Sequence, residues 1–401
     1  MAAASDKARF YLEQQVPELK EFEKKKIFPK EEITSILKKR SEFEHKINAR
    51  GPLPADYARY AEYEMNLDTL RRKRIKRLGI KAPAHSGQRR IFFILERATK
   101  KFHGDVGLWM QYIEYARKQK AHKKLSQIFM NALRLHPTKP ELWIYAARYT
   151  LEEHADMTQA RSYMQRGLRF CKNSQNMWIQ YAKLEMIYIT KLGARQRILG
   201  LDGSRQAPAV DHSDTDPNAD MIALPQITGE DINPSASNDE PDQVALQNLN
   251  ATPALTGAIP IAIFDTASKQ FNNSDVLGHD FYNMILEFEN TPCVKRILDH
   301  IVESMLAEHA TSPHTQICYI MLPVAGLTPT SPQFPSSFGT SLARIKESME
   351  KQPSTSQRLA SEIVKWLQPI ASLEDIDPAL KTVAAATVRS AERTASGPLA
   401  S

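Results

Sequence analysis

Cysteine is scarce in this chain. Three occur in 401 residues, at Cys171, Cys293 and Cys318, and none shares a CxxC spacing with another. That pattern signals neither a disulfide framework nor a cysteine-ligated zinc site. Long apolar stretches are missing too: no run reaches the roughly 18 residues needed to cross a bilayer. The opening Met-Ala-Ala-Ala-Ser-Asp-Lys lacks an apolar signal core, so a soluble intracellular protein with no membrane partner is expected. The motifs HExxH, GxxxxGK[ST] and GxSxG are all absent. The 11 histidines are dispersed, and His300 and His309, nine residues apart on one expected helix, are too distant to act as paired ligands. The expectation is therefore a non-enzyme with no catalytic residue, no metal site, no cofactor and no small-molecule substrate.

What is present is a period. Leu108-Trp109, Leu142-Trp143 and Met177-Trp178 place tryptophans 34 and 35 residues apart. Each opens a stripe at helical spacing: Trp109, Tyr112, Tyr115; Trp143, Ala146, Tyr149; Trp178, Tyr181, Leu184, with Glu185 next. A second marker precedes each one. Ile94-Leu95 with Ala98, Ile128-Phe129 with Ala132, and Tyr163-Met164 with Gly167 put a small residue 11 positions before the following tryptophan. Two markers in one phase define a helical repeat, with helix A carrying the aromatic stripe and helix B the aliphatic and small residues. One such pair cannot bury its apolar face alone, so neighbouring pairs must stack into a solenoid. The aromatics are read as core.

The same markers extend the array. Tyr57, Tyr60, Tyr63 and Glu64 form a helix A with tyrosine leading, and Ile263-Phe264 with Ala267 form a helix B. Tyr282, Ile285, Phe288 and Glu289 form another helix A, but Tyr282 lies 104 residues past Trp178. An insertion between the two helices of one unit accounts for the excess. Its composition of Asp, Ser, Asn, Pro and Ala offers too little apolar surface to offset ordering, so a disordered acidic insertion is expected over 201–257. Its scattered carboxylates have no metal-coordination spacing, although Asp242 to Leu249 is a candidate docking segment. The organisation expected is an N-terminal helical arm over 1–52, an all-α repeat solenoid over 53–200 and 258–324, a Pro-rich linker over 325–340, and C-terminal helices with a fraying tail over 341–401. Within the arm, Phe10-Tyr11-Leu12, Val16, Leu19 and Phe22 form one apolar series, reset by Pro17.

The aromatic, aromatic, Glu pattern of helix A resembles half-a-TPR (HAT) repeats. A tetratricopeptide array opening on Trp carries Leu-Gly three and four residues later. Here those positions hold Tyr112-Ile113, Ala146-Ala147 and Tyr181-Ala182. HAT repeats are characteristic of RNA-processing assemblies. The phrase Val16-Pro17-Glu18-Leu19-Lys20-Glu21-Phe22-Glu23, with Ile27-Phe28, Glu31-Glu32-Ile33 and Asp56-Tyr57 through Leu67, resembles the N-terminal region of the U3 small nucleolar RNA-associated protein 6 family. The likeness continues through Lys139-Pro140-Glu141-Leu142-Trp143-Ile144 and Arg166-Gly167-Leu168-Arg169-Phe170 to Lys191-Leu192. It implies a non-catalytic scaffold in the UTP-B subcomplex of the small-subunit processome, the nucleolar particle assembled on pre-ribosomal RNA. Its implied partners are the WD40-repeat proteins of that subcomplex, with U3 snoRNP and pre-rRNA. No single binding residue is implied. Two alternatives stand beside this reading: a HAT scaffold of splicing or mRNA 3′-end processing, and a direct RNA-binding protein.

Net charge is +7 and the pI about 9.1, which favours acidic partners such as RNA. The densest run is Arg71, Arg72, Lys73, Arg74, Lys76 and Arg77, a candidate RNA or nuclear-import patch. Cations near a helix C-terminus also complement its dipole, but that does not require six of them. A second cluster, Arg117, Lys118, Lys120, Lys123 and Lys124, reads as a solvated turn.

Overall fold

The computed structural model describes residues 2–80, 86–198, 255–288, 291–351, 356–372 and 377–395, and among these it is all-α with no strand. The chain divides into two compact units, Met1–Ala146 and Ala147–Ser401. The division falls inside one helix.

The first unit begins with α1 (Ala2–Glu13), α2 (Val16–Lys24) and α3 (Lys30–Asn48). Pro17 sits in the first turn of α2, where its missing N–H costs nothing, so it starts a new helix there. Leu19 and Phe22 of α2 join Ile27, Phe28, Ile33 and Ile36 in one apolar cluster. Leu67, Ile75 and Ile80 pack against it, which seats the arm on the next helix. The expected apolar series is only partly inward, because Phe10 is 56% exposed and Val16 is also exposed.

Helix α4 (Pro54–Leu78) opens with Pro54 in its first turn and Asp56 accepting the Leu53 N–H at 3.0 Å. It stops at Gly79, whose φ of 64° suits a residue without a Cβ. Next come α5 (Ser86–Lys101), α6 (Val106–Lys118), α7 (His122–Leu135) and α8 (Pro140–Glu153), which crosses the boundary between units. Asp105 caps α6 by accepting the Leu108 N–H at 3.2 Å. Consecutive helices from α4 to α7 pack in pairs. The predicted core positions Tyr57, Tyr60, Ala98, Trp109, Tyr112, Ala132 and Trp143 are all buried.

In the second unit, α9 (Met157–Phe170) and α10 (Gln175–Ile198) repeat the motif, with Gly167 and Tyr181 buried. Helix α10 packs against α11 (Ala258–Gln270) and α12 (Asp275–Leu286), so the helices flanking residues 199–254 meet directly. Thr190 and Thr291 also share a hydrogen bond of 3.1 Å. Ala267 and Tyr282 are fully buried, whereas most of the expected insertion, including Asp242 to Leu249, lies outside the described residues, as does Glu289. Gly278 of α12 lets α13 (Val294–His309) approach closely: a Cβ there would lie 2.7 Å from the Met305 sulfur. Helix α14 (Pro313–Met321) ends in a short 3₁₀ turn around Pro323.

Three expectations need correction. Trp178 is only partly buried, unlike Trp109 and Trp143, although Met177 beside it is fully buried. The linker expected over 325–340 ends early: α15 (Phe334–Lys351) begins inside it. Pro335 is tolerated in that first turn, and the buried rings of Phe334 and Phe338, one turn apart, stack at 5.5 Å. The Ala-rich tail expected to fray from Ala371 instead forms α17 (Pro378–Ala395), packed on α16 (Ser356–Ser372) through Ala384, Val388 and Ala391. Gln357 donates to the Ala395 carbonyl at 2.8 Å, which satisfies one of the helix-end acceptors.

A buried tryptophan and a partly buried one differ in what their removal costs. Trp143→Ala is expected to lower stability by about 3–5 kcal/mol and Trp178→Ala by under half of that, measured by urea melts of the full chain. Equal losses would contradict this placement of the two rings.

A second prediction concerns pH. His279 of α12 faces His314 of α14 with ring centres 5.1 Å apart. Burial holds the His279 pKa below the ordinary value, and His314 pushes it the same way against Asp280, Glu362 and Asp275. The unfolded chain then takes up this proton first, so the stability involved is present above the ordinary histidine pKa of about 6.5 and is lost as pH falls below it. Thermal melts should show a drop between about pH 7 and 5, reduced in His279→Phe. An identical drop in that variant would assign the pH effect elsewhere.

Candidate nucleic-acid interface

The six basic residues of the 71–77 run do not form one patch. Positions 71 and 74 lie on the face of α4 that meets the arm, while 73, 76 and 77 lie on the face turned away from it. Arg71 is buried, with Nη2 at 2.7 Å and Nε at 3.0 Å from Oδ1 of Asp68, and its guanidinium lies 5.9 Å from the Phe22 ring centre. Arg72 binds the other oxygen of Asp68 through Nε at 2.7 Å and donates to Gln119 at 3.0 Å. Arg74 reaches into the arm. It donates to the Ile27 carbonyl at 3.2 Å and to both oxygens of Glu32 at 2.6 and 3.1 Å, over the Phe28 ring at 4.8 Å. Three arginines therefore hold the fold together. Lys73, Lys76 and Arg77 remain exposed.

The second cluster divides in the same way. Arg117 donates to the Tyr145 hydroxyl at 3.2 Å, and Lys124 pairs with Glu96 at 3.1 Å. Lys118, Lys120 and Lys123 face solvent, as expected of a solvated turn. A cleft of about 380 Å³ between α5, α6 and α7 is lined by Lys100, Lys124, Arg134 and Trp109, but Glu96 binds both lysines, at 2.9 and 3.1 Å. Much of that cleft's charge is thus balanced internally.

Sequence reasoning missed the buried ion pairs behind this surface. Arg40 of α3 grips Glu64 of α4 with a fork, Nε to Oε1 at 2.7 Å and Nη2 to Oε2 at 2.8 Å, both side chains 3% exposed. Burial alone would lower the Arg40 pKa, but the charge and hydrogen bonds of Glu64 outweigh it and leave it raised. Arg161 of α9 grips Glu185 of α10 through the same atoms, at 2.7 Å each. Both pairs span 24 residues, from a helix B position to the glutamate that ends the helix A stripe. The arm's α3 therefore plays the part of a helix B. Two more pairs reinforce it: Arg97 of α5 binds the buried Glu44 at 3.0 Å, and Arg90 binds Glu18. A signal was available, because Ile33, Ile36, Arg40, Glu44 and Ile47 fall on one inward stripe of α3.

Each repeat tryptophan makes one further contact that spacing alone could not reveal. The indole N–H donates to the carbonyl six residues earlier, from Trp109 to His103 at 3.0 Å, Trp143 to Pro137 at 2.9 Å and Trp178 to Lys172 at 3.5 Å. In every case that carbonyl lies two residues past the end of the preceding helix B. The ring thus clasps the turn that links the two repeats. Among the described residues no group of three or more His, Cys, Asp or Glu side chains is arranged to hold a metal.

The paired, recurring helices define a helical-repeat protein. Residues 12–101 match the family described as U3 small nucleolar RNA-associated protein 6. It is 37% identical over 244 residues to the Schizosaccharomyces pombe protein of that name, covering 59% of this chain and 50% of the relative. The human homolog is 32% identical over 185 residues and the Dictyostelium discoideum homolog 30% over 189, covering 45% and 47% of this chain. The chain spans half the length of the fission-yeast relative and 31% of the other two. The family match takes in Glu18, Arg40, Glu44, Glu64, Arg90 and Arg97, all partners in the buried pairs.

Those pairs carry a testable asymmetry. Arg40→Met strands the Glu64 carboxylate and is expected to cost about 3–5 kcal/mol in urea melts, whereas Arg40→Met with Glu64→Leu recovers most of the loss. A double variant as unstable as the single one would show that the fork itself supplies the stability.

Proposed function

We propose that the chain is a non-catalytic scaffold subunit of the small-subunit processome, the 90S pre-ribosome, acting within its UTP-B subcomplex. In this reading it serves pre-18S rRNA processing and small ribosomal subunit assembly alongside U3 snoRNP, in the nucleolus. Its protein partners are the WD40-repeat subunits of that subcomplex. The supporting observation is that the family match over 12–101 coincides with the arm and first repeat, which buried ion pairs join into one element. The relatives bear the name U3 small nucleolar RNA-associated protein 6.

The mechanism in this reading is geometric. Paired helices present a series of shallow surfaces on a frame held by the Arg–Glu forks and tryptophan clasps. Several weak contacts on one chain raise effective concentration, so partners bind more tightly together than singly. No step of bond making is involved.

Sequencing the RNA that co-purifies with tagged full-length protein from nuclear extract tests the assignment. Enrichment of U3 small nucleolar RNA and pre-rRNA spacer is expected. Enrichment of spliceosomal or poly(A)-site RNA would retain the repeat scaffold but move it to splicing or mRNA 3′-end processing.

A further inference from the structure

A polar cleft of about 490 Å³ opens in the first unit between the arm and α5. Its floor is made by Tyr60 of α4, Arg90 of α5 and Gln15 from the link between α1 and α2. Tyr60 is fully buried and Gln15 is nearly so. The fold leaves two of these groups over. The Tyr60 hydroxyl and the Arg90 Nε are buried without a hydrogen-bond partner among the described residues. Arg90 binds Glu18 through Nη2, while its Nε stands 3.9 Å from Glu64, beyond hydrogen-bond reach. The Gln15 oxygen accepts from Arg40 at 3.4 Å, which leaves its amide N–H groups for another partner. The walls are of a different kind. Phe93 stands at the mouth, 43% exposed, with the Tyr11 ring 5.4 Å from its own. Arg89 is exposed there too and makes no ion pair among the described residues. Glu44 is the single carboxylate of the lining, and Arg97 holds it at 3.0 Å.

We propose that this cleft takes one unstacked nucleotide of a single-stranded RNA, its base on the Phe93 ring, its base edge on the floor and its phosphate at Arg89. A nucleobase is flat, with an apolar face and a polar edge, and so complements an aromatic wall above a polar floor. An apolar protein anchor would leave Tyr60 and Arg90 without partners, and an acidic side chain would leave the ring wall unused. A duplex keeps its bases stacked and paired, so it offers the cleft little besides phosphate. The floor donates rather than accepts. Arg90 Nε and the remaining half of the Gln15 amide are donors only, and the Tyr60 hydroxyl can turn to donate. Uracil O4 and guanine O6 with N7 present acceptors to such a floor, whereas adenine and cytosine carry an amino group at the same edge. The cleft therefore prefers uracil or guanine.

The inference does not rest on processome membership. A chain that failed to co-purify with U3 RNA would still bind a single strand in purified form, so the two readings fail separately. The test is fluorescence anisotropy of the full chain with a labelled oligouridine of about 12 nucleotides. It should bind more tightly than oligoadenosine of the same length, and more tightly than the duplex of the two. Phe93→Ala should weaken oligouridine binding about tenfold, the loss of one stacked base. Phe93→Leu keeps apolar packing against Tyr11 without a ring to stack on, and should lose as much. Tyr60→Phe keeps the buried ring and removes only the hydroxyl, so melting should not change while binding falls about threefold to tenfold. Arg89→Gln should make the slope of log affinity against log salt shallower by about 0.7. Wild-type affinity in either Tyr60→Phe or Phe93→Leu, or no binding of oligouridine at low salt, would overturn the site. Equal or tighter binding of the duplex would overturn the single-strand assignment. Tighter binding of a glutamate-rich peptide, weakened by Arg89→Gln, would assign the cleft to an acidic protein segment instead.

Discussion

The register of the arm on the repeats depends on one interaction, the fork between a helix B arginine and the glutamate that closes the next helix A stripe. Buried charges of this kind add little net stability against a well-packed apolar seam, but they tolerate few geometries. A carboxylate that has lost water must meet its two guanidinium nitrogens in plane, and a shift of one helical turn strands both. Arg40 with Glu64 and Arg161 with Glu185 repeat the same atoms and the same 24-residue spacing in the two units. The fork thus recurs in two units, while Ala116 and Thr150 hold the glutamate position in the two repeats between them. Apolar contacts such as Phe43 stacked on Tyr60 at 5.0 Å then fill in around a register already fixed.

Much of the architecture was legible because its markers are chemically unlike their surroundings. Tryptophan and small residues 11 positions apart stand out in a charged sequence, and Tyr57, Ala98 and Trp143 lie buried as their spacing required. What escaped was of two kinds. Arg40, Glu44, Arg90 and Arg97 carry no marker in the sequence, because a charged residue is usually solvated and only a partner brought by the fold makes its burial tolerable. Residues 378–395 read as a loose tail because alanine offers little area per residue. Their helix is instead held by close contact of Ala384 and Ala391 against α16.

The basic run shows how far a count of charges can mislead. Six cations in seven positions read as one electrostatic feature, yet a helix turns through 100° per residue and separates them. The inward arginines meet Asp68 and Glu32, and only the outward half is available to a partner.

The tryptophan clasp has a kinetic consequence. Its donor and acceptor are six residues apart, so closing it spans less chain than almost any other tertiary contact. Loops of that size close in about 10–100 ns, far faster than any contact between distant repeats can form. Each inter-repeat turn can therefore reach its native shape before the helices on either side have found their neighbours. Folding is then free to begin at any clasp and spread outward pair by pair, and no single nucleus controls the chain.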